Sequence, residues 1–349
     1  MKFRNSFLVF LGFALLFSLS SCEGDEGPIG PAGPTGSTGP QGPAGVNGAE
    51  NCMDCHSNSQ LITAKMFQWE HSAHAIGGHY DRNATNCAVC HTSQGYLERI
   101  AANAETTSAA IQDPLPLNCY TCHKIHQSYS QDDWALTKSD PVTFWLGGET
   151  ADVGKGNLCI SCHQARKPSP ALPDPATGGT ITITSSRYGP HHGAQGMMFT
   201  GSAGYELNFG TPYENSVHTT LIQDACVTCH MATAVGTQSG GHTFNVASES
   251  GAINTAGCVA CHADVAALNT LTNDTQAEIT NLLGELKAKL VERGLLNPDT
   301  DLAIVPQDFE GHEAGALFNY KYVEEDQSLG VHNYKYTRAL LLNSIAALQ

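Results

Sequence analysis

Apolar and polar positions divide this chain unevenly. A nearly continuous apolar run, Phe7 to Leu19, follows Lys2 and Arg4 at the N-terminus. Near the C-terminus, Ile279, Leu282, Leu283, Leu286 and Leu290 recur at helical spacing behind Thr275-Gln-Ala-Glu278, the pattern of a capping box. An amphipathic helix is therefore predicted over 275–293, ending before Gly294, with its apolar stripe on a core or a subunit face. A second helix is predicted from about Tyr334 to Leu348. The clear period-two alternation, Thr180-Ile181-Thr182-Ile183-Thr184, predicts a strand. Little else is periodic, so regular structure is expected to be sparse between these elements.

The N-terminal run is short for a membrane span. It closes on Leu19-Ser20-Ser21-Cys22, which reads as a lipoprotein signal peptide over 1–21 with Cys22 as the lipidated residue. Residues 22–48 follow as a tether. From Gly24 to Gly48 glycine stands at every third position, with proline directly after five of these glycines, a collagen-like Gly-X-Y segment. Extended, it would reach ~75 Å at ~3.1 Å per residue. It predicts either a trimeric stalk or a monomeric flexible tether. The chain is expected outside the cytoplasm, anchored in a bacterial envelope on its periplasmic side or at the cell surface.

Cysteine usage changes the picture most. Of 13 cysteines, 12 fall in six Cys-x-x-Cys-His motifs between residues 52 and 262. The pairs are Cys52 and Cys55, Cys87 and Cys90, Cys119 and Cys122, Cys159 and Cys162, Cys226 and Cys229, and Cys258 and Cys261. The histidines are His56, His91, His123, His163, His230 and His262. One such pair alone fits a zinc knuckle or a redox dithiol. Six copies, each followed directly by histidine, point to c-type haem: two thiols bond the porphyrin vinyl groups and the imidazole becomes the proximal iron ligand. Six haem c groups are expected in a domain spanning 49–349, with 263–349 its helical C-terminal part. At about 50 residues per haem, the cofactors themselves must fill much of the interior.

Whether such a chain carries electrons or performs chemistry depends on the second axial position, which a carrier fills and an enzyme leaves open. Ten histidines remain: His71, His74, His79, His126, His191, His192, His218, His242, His312 and His332. His74 and His218 share a pattern, Trp69-x-x-Ser72-x-His74 and Tyr213-x-x-Ser216-x-His218, in which the aromatic is expected to pack on a porphyrin and the serine to orient the ring. His126 lies too close to His123 to bind the same iron but can reach a neighbouring haem. Gly189-Pro-His-His-Gly193 offers His191 or His192, with His191 preferred, and His242 sits in Gly240-Gly-His-Thr-Phe244. Methionine is the rival ligand, with Met66, Met197 and Met198 as candidates.

Charge narrows the partners. Removing residues 1–21, which hold Lys2 and Arg4 and no acidic residue, leaves 15 basic against 33 acidic side chains, a net −18 with histidine neutral. That balance disfavours nucleic acid or anionic lipid as partners, so no nucleic acid is expected, and it suits docking to other redox proteins, cytochromes among them. Contact with the membrane is expected through the lipid anchor. A homo-oligomer would be a trimer through the collagen-like segment or a dimer through the C-terminal helices.

The motifs, the Ser-x-His elements, the Gly-Pro-His segment and Gly330-Val-His332-Asn333 ahead of a terminal helix resemble the multihaem cytochromes related to cytochrome c nitrite reductase, hydroxylamine oxidoreductase and their electron-transfer relatives. The resemblance runs from Cys52 to the C-terminus and prefers His332 to His312. It implies distal ligands His74, His126, His191, His218, His242 and His332, six for six haems. Two departures argue against an enzyme. No Cys-x-x-Cys-Lys motif replaces a proximal histidine, and six motifs cannot supply the eight haems of the hydroxylamine enzymes. The expected fold is mostly α and irregular, a multihaem cytochrome c with a haem-packed core, little β and two C-terminal helices. The expected function is extracytoplasmic electron transfer through bis-histidine haems of low potential, with no catalytic side chain. The competing expectation is a reductase of nitrite- or hydroxylamine-type substrates with one open haem.

Overall fold

The structure is a computed structural model that describes His56 and residues 59–349. The signal peptide, Cys22, the Gly-X-Y segment, Cys52 and Cys55 lie outside the described residues. Among the described residues, five helices have ten or more residues: α1 (Ser59–Glu70), α2 (Ser93–Ala102), α3 (Val265–Glu292), α4 (Gly311–Asp326) and α5 (Tyr334–Ala347). Among the described residues β structure amounts to four isolated bridges and two short antiparallel pairs. The first joins β1 (Val142–Thr143) to β2 (Thr150–Ala151), and the second joins β3 (Thr180–Ile183) to β4 (Gln307–Glu310). Most of the chain between α1 and α3 is turns and single helical turns. Among the described residues no helix is long and apolar enough to cross a membrane.

α3, α4 and α5 pack together and give the chain a protein core of its own. On α3, Ile279, Leu286 and Leu290 form one fully buried stripe, each worth ~1.5–3 kcal/mol of transfer free energy. α5 contributes Tyr336, Leu340, Leu341 and Ile345, while Ile183 of β3 and Phe309 of β4 close the core from the sheet side. Gly315 lets α4 approach the Tyr205 ring so closely that a Cβ there would lie 2.0 Å from Cδ1. Beside it, buried Asn319 accepts from the Tyr205 backbone N–H (2.8 Å) and donates to the Tyr205 carbonyl (2.8 Å) and Ser344 Oγ (2.9 Å). Its polar groups are thus satisfied in the interior.

Two expectations need correction. The helix predicted over 275–293 begins ten residues earlier, because the Asp264 carboxylate caps it by accepting from the backbone of Ala266 (2.9 Å) and Ala267 (3.0 Å). Thr275 and Glu278 therefore lie inside the helix. There Glu278 does a different job, accepting from Arg338 Nε (2.7 Å) and the Tyr334 hydroxyl (2.5 Å) to bind α3 to α5. The second correction is α4, a third C-terminal helix. It is buried on most of its circumference, from Ala314 to Tyr320 without a break, and so carries no polar face for a period to reveal. The predicted strand stands as β3, and the terminal helix as α5.

Candidate functional site

The local fold of the motifs follows from their spacing. In four of them the histidine N–H bonds the carbonyl of the first cysteine, as in His91 to Cys87 (3.1 Å), His123 to Cys119 (2.9 Å), His163 to Cys159 (2.9 Å) and His262 to Cys258 (2.9 Å). One closed helical turn puts the two thiols, three residues apart, on one face. The motif beginning at Cys226 forms a similar short helix, Cys226–His230.

Every motif histidine faces one further imidazole. The ring centroids are 6.4 Å apart for His56 and His126, 6.2 Å for His91 and His191, and 6.2 Å for His123 and His242. They are 6.1 Å apart for His163 and His74, 6.2 Å for His230 and His332, and 6.3 Å for His262 and His218. The partners are hydrogen-bonded to one another in none of these pairs. Two imidazoles on opposite faces of one metal ion, each bonded at ~2.0 Å, would have centroids ~6.3 Å apart. The spacing therefore fits a single iron held between each pair.

The outer ring nitrogens agree with that geometry. Nδ1 of His91 lies 3.0 Å from the Gly78 carbonyl, that of His123 2.8 Å from Trp134 O, and that of His230 2.7 Å from Phe244 O. His218 Nδ1 lies 3.2 Å from Val331 O, and His163 Nδ1 3.0 Å from Gln195 Oε1. An oxygen of this kind only accepts, so Nδ1 carries the hydrogen and Nε2 keeps the lone pair that binds metal. His332 differs, because its Nδ1 donates to the buried Asp326 carboxylate at 2.7 Å. Burial pushes His74, His191 and His242 down to about 4, with Arg166 and Arg82 adding to the effect at His191 and Lys65 at His242. These rings are neutral at pH 7, the form that ligates.

The surroundings place the partner histidines by different means. Ser72, fully buried, caps the short turn that carries His74, with Oγ donating to Trp69 O (2.6 Å) and accepting from Ala75 N (3.3 Å). Ser216 instead ties its segment to α5, accepting from Lys335 N (3.1 Å), while its own N–H donates to Asn333 Oδ1 (2.9 Å). Each serine thus acts on the backbone and not on the ring. Tyr213 packs against Tyr336, 5.9 Å between centroids, and its hydroxyl donates to Leu207 O. It serves the protein core. His126 and His191 hold left-handed backbone conformations, φ +59° and +68°. At His126 the Asp133 carboxylate fixes the turn, accepting from the backbone of His126 (2.8 Å), Gln127 (3.1 Å) and Ser128 (2.7 Å).

The remaining histidines face no motif. His71 bonds Phe67 O, His192 pairs with Glu325 at 2.6 Å, His312 lies 3.5 Å from Glu310, and His79 is exposed. Methionine is not set as a ligand either. Met197 Sδ accepts from Ala165 N and Met198 Sδ from the Thr337 hydroxyl, both at 3.2 Å, and Met66 stands on the surface.

The sites are contiguous. The Cys90 and Cys162 thiols are close neighbours, as are those of Cys159 and Cys226. Cys122 neighbours the fourth motif, and Cys258 neighbours Cys229. The fourth motif thus stands between the second, third and fifth. Sequence reasoning missed Phe244, whose ring lies 5.0 Å from His74 and 5.9 Å from His242 while its carbonyl accepts from His230. No local signal marks it beyond its place two residues after His242. Exposed apolar side chains flank the paired histidines, among them Ile76 near His74 and Val217 and Leu221 around His218, which are 80, 64 and 72 % exposed. Among the described residues no three or more His, Cys, Asp or Glu side chains converge as a zinc cage requires. The convergence is pairwise, as axial ligation of haem demands.

The outer cell wall cytochrome OcwA, a solved crystal structure, has this architecture, with a TM-score of 0.50 and 21 % identity. The chain shares the fold of that cytochrome. The match covers 81 % of this chain and 50 % of OcwA, so the chain accounts for about half of that cytochrome's length. No protein-family model and no curated protein matches the chain. Among the described residues this fold is mostly helical and irregular with two small sheets, in line with the expected α and irregular chain with little β.

Proposed function

We propose that residues 49–349 hold six c-type haems and pass electrons between them. The single observation that carries this reading is the set of six imidazole pairs at 6.1–6.4 Å. Cysteine pairs 52 and 55, 87 and 90, 119 and 122, 159 and 162, 226 and 229, and 258 and 261 would form the thioethers. His56, His91, His123, His163, His230 and His262 would be proximal ligands. His126, His191, His242, His74, His332 and His218 would close the opposite faces in that order. Bound haem supplies a one-electron iron couple. The chain sets its position and potential, through two neutral imidazoles per site and through the carbonyl and carboxylate groups that orient them. Two histidines favour low potential over the histidine–methionine alternative.

Close approach of the second, third, fifth and fourth motifs supports transfer across the domain, with the fourth site as the junction. A cytochrome of the outer cell wall shares the fold, which supports a place outside the cytoplasm for this chain too. Cys22 would carry the lipid anchor and the Gly-X-Y segment would hold the haem domain away from the membrane. The partners would be redox proteins with basic docking faces. The reading is tested by maturing the protein in a host with a c-type haem assembly system, then measuring haem per chain and thioether mass. Six haems per chain are expected, and a count below six, or a mass that accounts for fewer thioethers, refutes it.

A further inference from the structure

Arg99 lies on α2, 5 % exposed, with Nε and Nη2 buried and without a hydrogen-bond partner. Its guanidinium carbon sits 5.3 Å from the centroid of the Tyr96 ring and 5.3 Å from that of Trp145. No carboxylate pairs with it among the described residues. α2 packs directly after the second motif, and its Tyr96 hydroxyl lies 3.2 Å from Ser161 Oγ inside the fourth, so Arg99 stands where these two motifs meet, beside Cys90 and Cys162. An arginine stays charged at any working pH, and a buried charge without a counter-ion is costly unless something nearby gains from it. Two aromatic faces offset part of that cost.

We propose that Arg99 is a positioning residue for redox potential: a buried cation at the thioether junction of the second and fourth haems that raises the potentials of both. The inference rests on the six-haem reading above. With haems attached, Cys90 and Cys162 would bond vinyl groups, which lie across the porphyrin from the propionates, so Arg99 would stand on the side of both sites away from their own carboxylates. When either site is reduced, one electron arrives, no bond breaks and no proton moves, and the site loses one unit of positive charge. A fixed cation beside the site therefore favours the reduced form. The same cation acts on both sites because the two thiols share one place. Electrons would then dwell at the junction on which several sites converge.

The test compares wild type with R99Q and R99K, each checked first for six haems by pyridine haemochrome, then titrated potentiometrically and fitted as six one-electron components. R99Q is expected to lower the reduced-to-oxidised ratio of two components about tenfold at a given ambient potential, or ~59 mV, leaving the other four within about twofold. R99K, which keeps the charge, is expected to hold all six within about twofold of wild type. R99M replaces R99Q as the neutral arm should R99Q fail to mature. If neither neutral variant matures, a shift above twofold in R99K overturns the proposal and a smaller one upholds it. Unmoved components in the neutral variant overturn it. So does an equal shift in R99K, which would assign the effect to shape, and so does failure of R99K itself to mature, which would make Arg99 a packing residue. A wild-type count below six would refute the haem reading, and the haem assay reports that before any potential is read.

Discussion

Asp326→Asn isolates one charge beside one proposed iron. The Asp326 side chain is buried, with Oδ1 accepting from His332 Nδ1 at 2.7 Å and the other oxygen accepting from the Ser328 hydroxyl and backbone. Burial disfavours a charge on His332, but Asp326 outweighs it and raises the ring's affinity for a proton. The same electron donation would stabilise ferric iron on the far nitrogen. The hydrogen bond, the ~2.2 Å between the ring nitrogens and a ~2.0 Å bond, followed along the bent path through the imidazole, place the carboxylate ~6.7 Å from the metal. At an effective dielectric constant of about 20, a unit charge there is worth ~2.5 kcal/mol, or roughly 110 mV for a one-electron couple before further screening. Asparagine keeps the shape and can still accept the bond. D326N should therefore raise one of six midpoint potentials by roughly 50–110 mV, read by spectroelectrochemical titration of protein with unchanged haem content. A shift below ~15 mV, or one to lower potential, would refute the electrostatic argument and the ligation it assumes.

Three further outcomes follow from the geometry. His242→Ala should open the site opposite His123 and give one high-spin ferric haem that binds cyanide, where wild type shows none; an unaltered electron paramagnetic resonance spectrum would contradict the pairing. Asp133→Ala removes the acceptor that holds His126 in its left-handed turn, so the low-spin signal of one haem should weaken while the global Tm moves by less than ~3 °C. Gly315→Ala should leave the spectra alone but cost ~1–3 kcal/mol through its collision with Tyr205. Differential scanning calorimetry should then record a Tm lower by roughly 3–10 °C.

The candidate sites were more legible in the sequence than the fold around them. Cys-x-x-Cys-His would place two thioethers and a ligand within five residues, so the proposed chemistry is readable without tertiary information. The six partner histidines named from sequence are the six that the structure sets opposite the motif histidines. Which faces which was not legible: His74 precedes the second motif yet faces His163 of the fourth, and His332 lies about a hundred residues beyond its partner His230. Such pairings are products of the fold. The helices failed for local reasons. Asp264 caps α3 without a glutamate three residues on, whereas Thr275 and Glu278 imitate a start inside the helix. α4 is enclosed by α3, α5, β4 and Tyr205, and enclosure erases the amphipathic period. Gly315 and Asn319 became meaningful only once Tyr205 was in place. The serines before His74 and His218 bond backbone groups of the segments that carry the rings, a contact that the Ser-x-His spacing does not specify.

The central claim is that six irons are each closed by two histidines. Electron paramagnetic resonance of the fully oxidised protein, with spins integrated against the haem count of the same sample, tests it most directly. The account predicts six low-spin ferric haems per chain and no change on adding nitrite or hydroxylamine. A high-spin haem in stoichiometric amount that responds to either would contradict it and favour a reductase.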